Sequence, residues 1–222
     1  MLAMLLASMG LFGVFLFLTY YLQEILRFSP VKTGIAFLPM IAALAGMAQV
    51  SNRVLLPRFG PKVIVPIGLL MNAAALYLLH RVGLHSSYVS DVLPYLLLLG
   101  FGFGLSLAPS FSTGTLGLKP YDAGVGSATL NTSLQVGGSI GTALLNTLAA
   151  GAVTAYLAGR AITPANLQAA AVHSYTTAFL YSALIFVVAA VIAGLVLPTG
   201  NMRALSGPDP DSAAAAPART PG

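Results

Sequence analysis

The chain has 222 residues, of which 57% are hydrophobic and 7% are charged, whereas a soluble domain is about 25% charged. This composition indicates a protein whose main solvent is lipid. The ten Lys and Arg residues outnumber the five acids, but they are scattered singly, which excludes the clustered basic patch that nucleic-acid binding requires.

Six apolar segments follow one another along the chain, and each is long enough for a helix that crosses a bilayer, which needs about 20 residues. The predicted spans are 2–22, 33–50, 63–79, 93–116, 125–156 and 175–197. Barrel strands alternate polar and apolar residues, and these segments do not, so the predicted fold class is all-α, an integral membrane six-helix bundle. Residues 199–222, rich in Gly, Pro, Ser and Ala, are predicted to form a disordered tail.

The connections between the predicted spans carry most of the charge. If both termini are cytoplasmic, the inner loops and tail hold Arg53, Arg58, Lys62, Lys119 and Arg203, and the outer loops hold Arg27, Lys32, Arg81 and Arg160. This distribution weakly favours that orientation. The first span is followed but not preceded by positive charge and alone favours the reverse. This conflict predicts that earlier helices of a longer protein set the topology.

The end of the first predicted span is polar. Tyr20 and Gln23 lie near one helical face and are candidates for lining an outer vestibule on a substrate pathway. The alternative is an interfacial belt with solvated polar ends, and this alternative is favoured for Glu24 and the adjacent Tyr21.

The fourth predicted span contains closely spaced glycines. Gly100 and Gly104 are expected to permit close helix packing rather than dinucleotide binding, because no strand precedes them. Pro109 removes a backbone hydrogen bond and is predicted to kink the helix, either for gating or as a static feature of packing. Ser106, in the same run, is a further candidate for the substrate pathway.

Polar side chains recur along the fifth predicted span at steps of three or four residues, so they share one helical face. They are Asn131, Gln135, Ser139, Thr142 and Asn146. Polar groups at membrane depth usually face a bundle interior or a wet cavity, which makes them candidates for a substrate pathway. The alternative is hydrogen bonding between helices without any ligand. Gly137 and Gly141 form a GxxxG pair on a neighbouring face and are expected to let another helix approach closely.

None of the five acids falls inside a predicted span, so the chain has no obvious proton carrier of its own. His80, His85 and His173 also lie outside the spans and show no metal-ligand spacing. An intramembrane serine protease would need a His at the depth of its Ser. We therefore predict no enzyme, no metal and no cofactor.

Three passages resemble a known family of transporters. Arg53 to Lys62 is similar to the loop signature of the major facilitator superfamily, with Arg58, Gly60 and Lys62 at matching positions. Residues 20–39 and 123–141 look like passages of its fourteen-helix drug:proton antiporter branch, the second with Leu134 where the branch usually has Arg. The resemblance covers nearly the whole chain.

This resemblance implies that the six helices are spans nine to fourteen, the C-terminal lobe, built as two inverted three-helix repeats. It also implies a cytoplasmic loop at Arg58 and Lys62, a location in the plasma membrane, and a small-molecule substrate. The expected function is one half of a proton-coupled multidrug or metabolite exporter, inactive without its N-terminal lobe unless homodimers rebuild a cavity. The alternatives are a truncated or assembly-only membrane module without transport, and a transporter of the same fold for sugars or organic acids.

Overall fold

The computed structural model describes residues 2–115 and 123–197, and the predicted tail at 199–222 lies outside the described residues. The helices are α1 (Leu2–Tyr20), α2 (Pro30–Val50), α3 (Leu56–Phe59), α4 (Pro61–Leu79), α5 (Leu93–Thr115), α6 (Ala123–Leu157) and α7 (Pro164–Val196). Wider π-helical turns extend α1 over Tyr21–Ile25, join α2 to α3 over Ser51–Leu55, and precede α5 over Tyr88–Val92.

Six helical segments of the described chain are long and apolar enough to cross a membrane, and α2, its π-helical turn and α3 form one of them. They are Met4–Ile25, Pro30–Phe59, Pro61–Leu79, Tyr88–Ser112, Gly124–Leu157 and Pro164–Val196. The predicted all-α, six-helix membrane fold is confirmed, and the chain is a multi-pass membrane protein.

Two α-helices begin three or more residues earlier than predicted. The last helix starts at Pro164, where residue 175 was predicted, because Thr163 caps it by accepting a 3.3 Å hydrogen bond from the Asn166 amide and Pro164 suits the first helical turn. Ser29 accepts from the Lys32 amide in the same way and starts α2 at Pro30. Hydropathy locates the start of the apolar run, whereas these caps locate the start of the helix.

The sharp turn between α3 and α4 depends on Gly60. Its backbone has φ 72° and ψ 166°, a region that only glycine enters readily. Pro61 then fixes the first turn of α4. Gly60 therefore has a structural role in the loop signature, since it separates the second membrane span from the third.

Replacement of Gly60 with alanine should destabilise this turn by about 1–3 kcal/mol, because alanine must adopt the same strained backbone. Thermal unfolding followed by circular dichroism in detergent micelles would show a lowered midpoint. Gly46→Ala, within α2, is the matched control, since a methyl group there meets nothing within 4 Å. Equal midpoints for the two variants would contradict this role for Gly60.

The contacts between helices follow a two-fold pattern. α1 packs against α6 and α7, α5 packs against α2 and α4, and α4 and α7 pack against each other. Exchanging α1 with α5, α2 with α6, and α4 with α7 maps this set of contacts onto itself. A further contact, between α6 and α7, departs from the pattern, because no contact of similar extent joins α2 and α4 among the described residues. Consecutive spans alternate in direction, so the two groups of three helices are inverted relative to each other. The bundle is one lobe built from two such repeats.

The core lies between α1, α4, α5 and α7, where Phe103 and Phe186 pack with their ring centroids 5.8 Å apart. The symmetry-related helices α2 and α6 are the least covered. In the most apolar stretch of the second span, only 22% of the residues are buried. In the most apolar stretch of the fifth span, only 17% are buried. Among the described residues, one broad face of α2 and one of α6 therefore have no helical neighbour.

Candidate functional site

The uncovered surface of α6 is divided into a polar stripe and an apolar stripe. Val136, Ile140 and Leu144 are 44%, 48% and 43% exposed and form the apolar stripe, which suits contact with lipid tails. The polar stripe runs beside it, and Gln135 and Asn146 there are also exposed. Amide groups facing hydrocarbon are costly, so the polar stripe is suited to water or to a polar ligand.

An open groove of about 390 Å³ runs along this polar stripe. It is lined by Phe12, Gln135, Gly138, Ser139, Thr142, Ala143 and Asn146. The structure thus brings together four of the residues predicted for a pathway, those at positions 135, 139, 142 and 146. We call the space lined by all seven residues the α6 groove.

Phe12 of α1 forms the second wall of the groove and is not identifiable from the sequence alone. Its ring is 43% exposed and lies against Gly138, where a methyl group would come within 2.6 Å of the ring. Glycine at 138 is what lets an aromatic ring lie this close to the helix. The groove therefore combines an aromatic face with amide and hydroxyl groups.

Close packing of α6 on α1 holds the two walls together. A methyl group added at Gly141 would lie 2.5 Å from the carbonyl oxygen of Met9, and one at Gly137 would lie 3.0 Å from the carbonyl carbon of Leu5. At both positions the nearest atoms include backbone, so α1 and α6 touch through their main chains. The GxxxG pair thus sets the width of the α6 groove.

The polar groups of the α6 groove differ in their hydrogen bonding. The Ser139 hydroxyl donates to the Gln135 carbonyl oxygen at 2.9 Å, one turn back on the same helix. The side-chain amides of Gln135 and Asn146 have no hydrogen-bond partner within the described residues. Each amide offers two donors and one acceptor oxygen, so the groove has unused capacity for binding a polar ligand.

The other residues predicted for the pathway lie elsewhere. Asn131 is exposed on α6 outside the groove, and its amide donates to the Ser127 carbonyl oxygen at 3.1 Å. Ser106 is 2% exposed and packs beside Gly68 of α4, with its hydroxyl donating to the Gly102 carbonyl oxygen at 2.9 Å. Tyr20 and Gln23 lie at the end of the first span, apart from the groove lining.

The assignment of Tyr21 to an interfacial belt is wrong. Its side chain is fully buried, and its hydroxyl donates to the Gly83 carbonyl oxygen at 2.7 Å. The neighbouring Tyr20 is 41% exposed. One residue of register thus decides which tyrosine is exposed at the end of α1.

Gly100 and Gly104 of α5 face α2. A methyl group at Gly104 would lie 2.7 Å from the Leu44 carbonyl oxygen, and the nearest atom to one at Gly100 would be the Met40 carbonyl oxygen. Pro109 lies inside α5, which continues to Thr115. These residues pack the lobe and do not line the α6 groove.

The charged residues of the described chain lie at the ends of the spans or in the turns between them. Glu24 and Asp91 are near the ends of the first and fourth spans. Arg58 is exposed at the end of α3, and Lys62 lies in the first turn of α4. No group of three His, Asp or Glu side chains that could hold a metal is present among residues 2–115 and 123–197.

The sequence matches known resistance and export proteins over most of its length. It is 40% identical over 217 residues to the puromycin resistance protein pur8 of Streptomyces alboniger, an alignment that covers 96% of this chain and 42% of that protein. It is 34% identical over 155 residues to the tetracenomycin C resistance and export protein of Streptomyces glaucescens, which covers 68% of this chain and 28% of that protein.

A further relative is the multidrug resistance protein B homolog of Mycobacterium tuberculosis strain ATCC 25618 / H37Rv, 35% identical over 143 residues, which covers 64% of this chain and 26% of that protein. The chain thus spans less than half of the length of these relatives. Residues 1–142, more than half of the chain, match the model of the Major Facilitator Superfamily. With its six apolar helices arranged as two inverted repeats, the chain belongs to the Major Facilitator Superfamily.

Proposed function

We propose that this chain is the C-terminal half of a proton-coupled exporter of antibiotics or other small organic molecules, and that the α6 groove is its share of the substrate pathway. The observation that carries the proposal is the groove itself. Polar side chains at membrane depth, with free amides at Gln135 and Asn146, would be unfavourable against lipid and are useful only against water or a ligand.

The uncovered face of α2 and the polar stripe of α6 are where a second lobe would dock, and the apolar stripe of α6 stays in contact with lipid. Transporters of this architecture alternate access by rocking two six-helix lobes around a site near the bilayer midplane. The relatives are more than twice as long as the matched region, which supports a second lobe of similar size. We infer that this lobe closes the groove and supplies the group that carries the proton, because the described spans hold acids only near their ends.

The groove offers a substrate an aromatic ring on one wall and hydrogen-bonding groups on the other. Phe12 can pack against a flat, apolar part of a compound. The amides of Gln135 and Asn146 can each donate and accept, so they suit carbonyl, hydroxyl and amide groups. Such a lining selects for amphipathic organic molecules and does not demand one particular shape.

The loop between the second and third spans is proposed to face the cytoplasm of the cell and both termini to lie on that side of the plasma membrane. Arg53, Arg58 and Lys62 lie at this end of the bundle and favour the cytoplasmic side. The end of α1 near Glu24 is then extracellular. Export would run from the end of the bundle that carries Arg58 to the end that carries Glu24.

The first test compares the chain alone with a two-lobe transporter, made by joining the chain to the part of the Streptomyces alboniger relative that it does not match. We expect the two-lobe transporter to raise the puromycin concentration that inhibits a sensitive bacterium, and a protonophore to abolish this resistance. The chain alone should give no resistance, because half of the cavity wall is absent.

The outcomes separate the alternatives. Resistance that survives the protonophore would argue against proton coupling. Robust efflux by the chain alone would refute the need for a second lobe. A well-expressed two-lobe transporter that moves sugars or organic acids but no antibiotic would replace the proposed substrate class.

A further inference from the structure

A carboxylate and two tyrosine rings meet near the end of α1, beyond the α6 groove. The Tyr175 hydroxyl donates a hydrogen bond of 2.5 Å to Oε2 of Glu24. The ring centroids of Tyr20 and Tyr175 are 6.3 Å apart, and Phe17 packs edge-on to Tyr20 at 6.5 Å. We call Glu24, Tyr20 and Tyr175 the distal cluster.

The charge of Glu24 is held in place but not neutralised. Tyr175 is 7% exposed and fixed between Phe17 and Tyr20, so its hydroxyl orients the carboxylate. Within the described residues, the Tyr175 hydroxyl is the one group bonded to the Glu24 side chain, and no Lys, Arg or His forms an ion pair with it. Glu24 itself is exposed. The cluster therefore presents a fixed negative charge to its surroundings.

Two cations near this end of the bundle lie over aromatic rings of their own. The Lys32 ammonium lies 4.0 Å from the centroid of the Phe28 ring, and the Arg160 guanidinium lies 3.9 Å from that of Tyr156. Neither of these side chains forms an ion pair with Glu24 in the described part of the chain. The ring of Tyr20 is 41% exposed and carries no cation from the described part of the chain. A positive group from outside could therefore pair with Glu24 and stack on Tyr20.

The backbone around Glu24 is unusual in two ways. Glu24 lies in the π-helical turn Tyr21–Ile25, and Arg27 adopts a left-handed conformation with φ 57°. A π-helical turn is uncommon, and so is a left-handed residue other than glycine. Both recur at functional sites. The left-handed residue ends the helix. Arg27 forms no ion pair with Glu24, although it is only three positions further along the chain. The local fold thus leaves the carboxylate uncompensated.

The distal cluster is connected to the α6 groove through α1. Phe12 of the groove and Tyr20 of the cluster are both exposed on α1, and eight residues separate them. At the rise and twist of an α-helix, Tyr20 lies about 12 Å further along the axis and within a quarter turn of Phe12. A compound leaving the groove towards the end of α1 would pass the cluster.

We propose that the distal cluster is a subsite for a positively charged organic group, such as a protonated or quaternary amine. Glu24 neutralises the charge, Tyr175 positions the carboxylate, and the Tyr20 ring covers one side of the cation. A metal ion does not fit, because hard divalent cations take six or more oxygen ligands and the described residues contain no group of acids near Glu24. As a step of export, this subsite rests on the proposed function.

Binding of tetraphenylphosphonium, a lipophilic organic cation, tests the subsite directly. The full 222-residue chain would be placed in lipid nanodiscs and binding measured by equilibrium dialysis. Glu24→Gln keeps the size of the side chain and an acceptor for Tyr175 but removes the charge, and we expect its Kd to rise about fivefold to tenfold. Tyr20→Leu should raise the Kd about threefold. The control is Asp91→Asn, which removes the charge of another acid at the same end of the helix bundle. It should leave the Kd unchanged.

Two results would overturn the subsite. One is an unchanged Kd in Glu24→Gln, with circular dichroism showing the same helicity as the wild type. The other is the same loss of cation binding in Asp91→Asn as in Glu24→Gln, which would show a general surface-charge effect.

Efflux by the two-lobe transporter separates this inference from the proposed function. Glu24→Gln should slow efflux of a cationic dye and leave efflux of an uncharged compound intact. If both slow equally while the Kd for tetraphenylphosphonium is unchanged, Glu24 has a different role, such as carrying the proton, and the subsite is refuted. If the wild type moves neither compound but the Kd still rises in Glu24→Gln, the exporter proposal fails and the cation subsite stands.

Discussion

Replacing Gly141 with alanine is expected to push α6 away from α1 and to lower the free energy of unfolding of the lobe by about 2 kcal/mol. The added methyl group would lie 2.5 Å from the Met9 carbonyl oxygen and 2.7 Å from its carbonyl carbon. A side chain could rotate away, but these are backbone atoms, so the helices themselves must shift. The midpoint of thermal unfolding in detergent should fall by about 4–8 °C.

Gly151→Ala, ten residues further along α6, is the control for this experiment. A methyl group at Gly151 meets nothing within 4 Å, so alanine there should be neutral or should stabilise the helix slightly through its better propensity. Because Phe12 and Gly138 form the groove next to this contact, Gly141→Ala should also reduce efflux by the two-lobe transporter. Equal midpoints for the two variants would show that α1 and α6 are not held by close backbone contact.

Hydropathy was sufficient to predict the number and type of helices, because a chain in lipid must bury its backbone polar groups within each span. It was not sufficient for their ends. The helix that begins at Pro164 starts outside the most apolar region, and the signal that marks it is the Thr163 cap. At the end of the second span, the apolar run stops near Val50 but the helix continues through a π-helical turn to Phe59.

The candidate site was predicted where periodicity applies and was incomplete where tertiary contact decides. Steps of three and four residues place Gln135, Ser139 and Asn146 on one face, and the structure gathers them in one groove. The contact between Glu24 and Tyr175 joins residues 151 positions apart, so no local pattern contains it. The same limit hides Phe12, which reaches the groove only because α1 packs on α6.

The two repeats share a fold but differ in the chemistry of their exposed helices. On α2, the counterpart of α6, the most exposed large apolar side chains after Val31 are Ile35, Leu38, Val50 and Ile41, which are 59%, 59%, 46% and 45% exposed. On α6 the corresponding uncovered surface carries the polar stripe. Most of the packing retains the two-fold pattern of the lobe, whereas the polar stripe belongs to one repeat alone. This asymmetry is what a substrate pathway along α6 requires.

Introducing tryptophan at Ser139 should block the groove and reduce efflux by the two-lobe transporter about tenfold or more. Ser139 lies among the groove residues, and its hydroxyl bonds only within its own helix at 2.9 Å, so its removal should hardly affect stability. An indole ring at this position would occupy much of the space of about 390 Å³ beside Phe12. Efflux of puromycin from loaded cells is the measurement, with surface expression determined in parallel.

The matched control is Ile140→Trp, one residue along α6. Ile140 is 48% exposed and belongs to the apolar stripe, so an indole there should extend into lipid and leave efflux near the wild-type rate. The two variants add the same side chain to the same helix and differ only in the direction it takes. If Ile140→Trp blocks efflux and Ser139→Trp does not, the pathway follows the apolar stripe, and the free amides of Gln135 and Asn146 have no part in it. If only Ser139→Trp blocks efflux, the polar stripe lines the pathway. If both stripes faced lipid, an indole ring at either position would be tolerated and neither variant would block efflux.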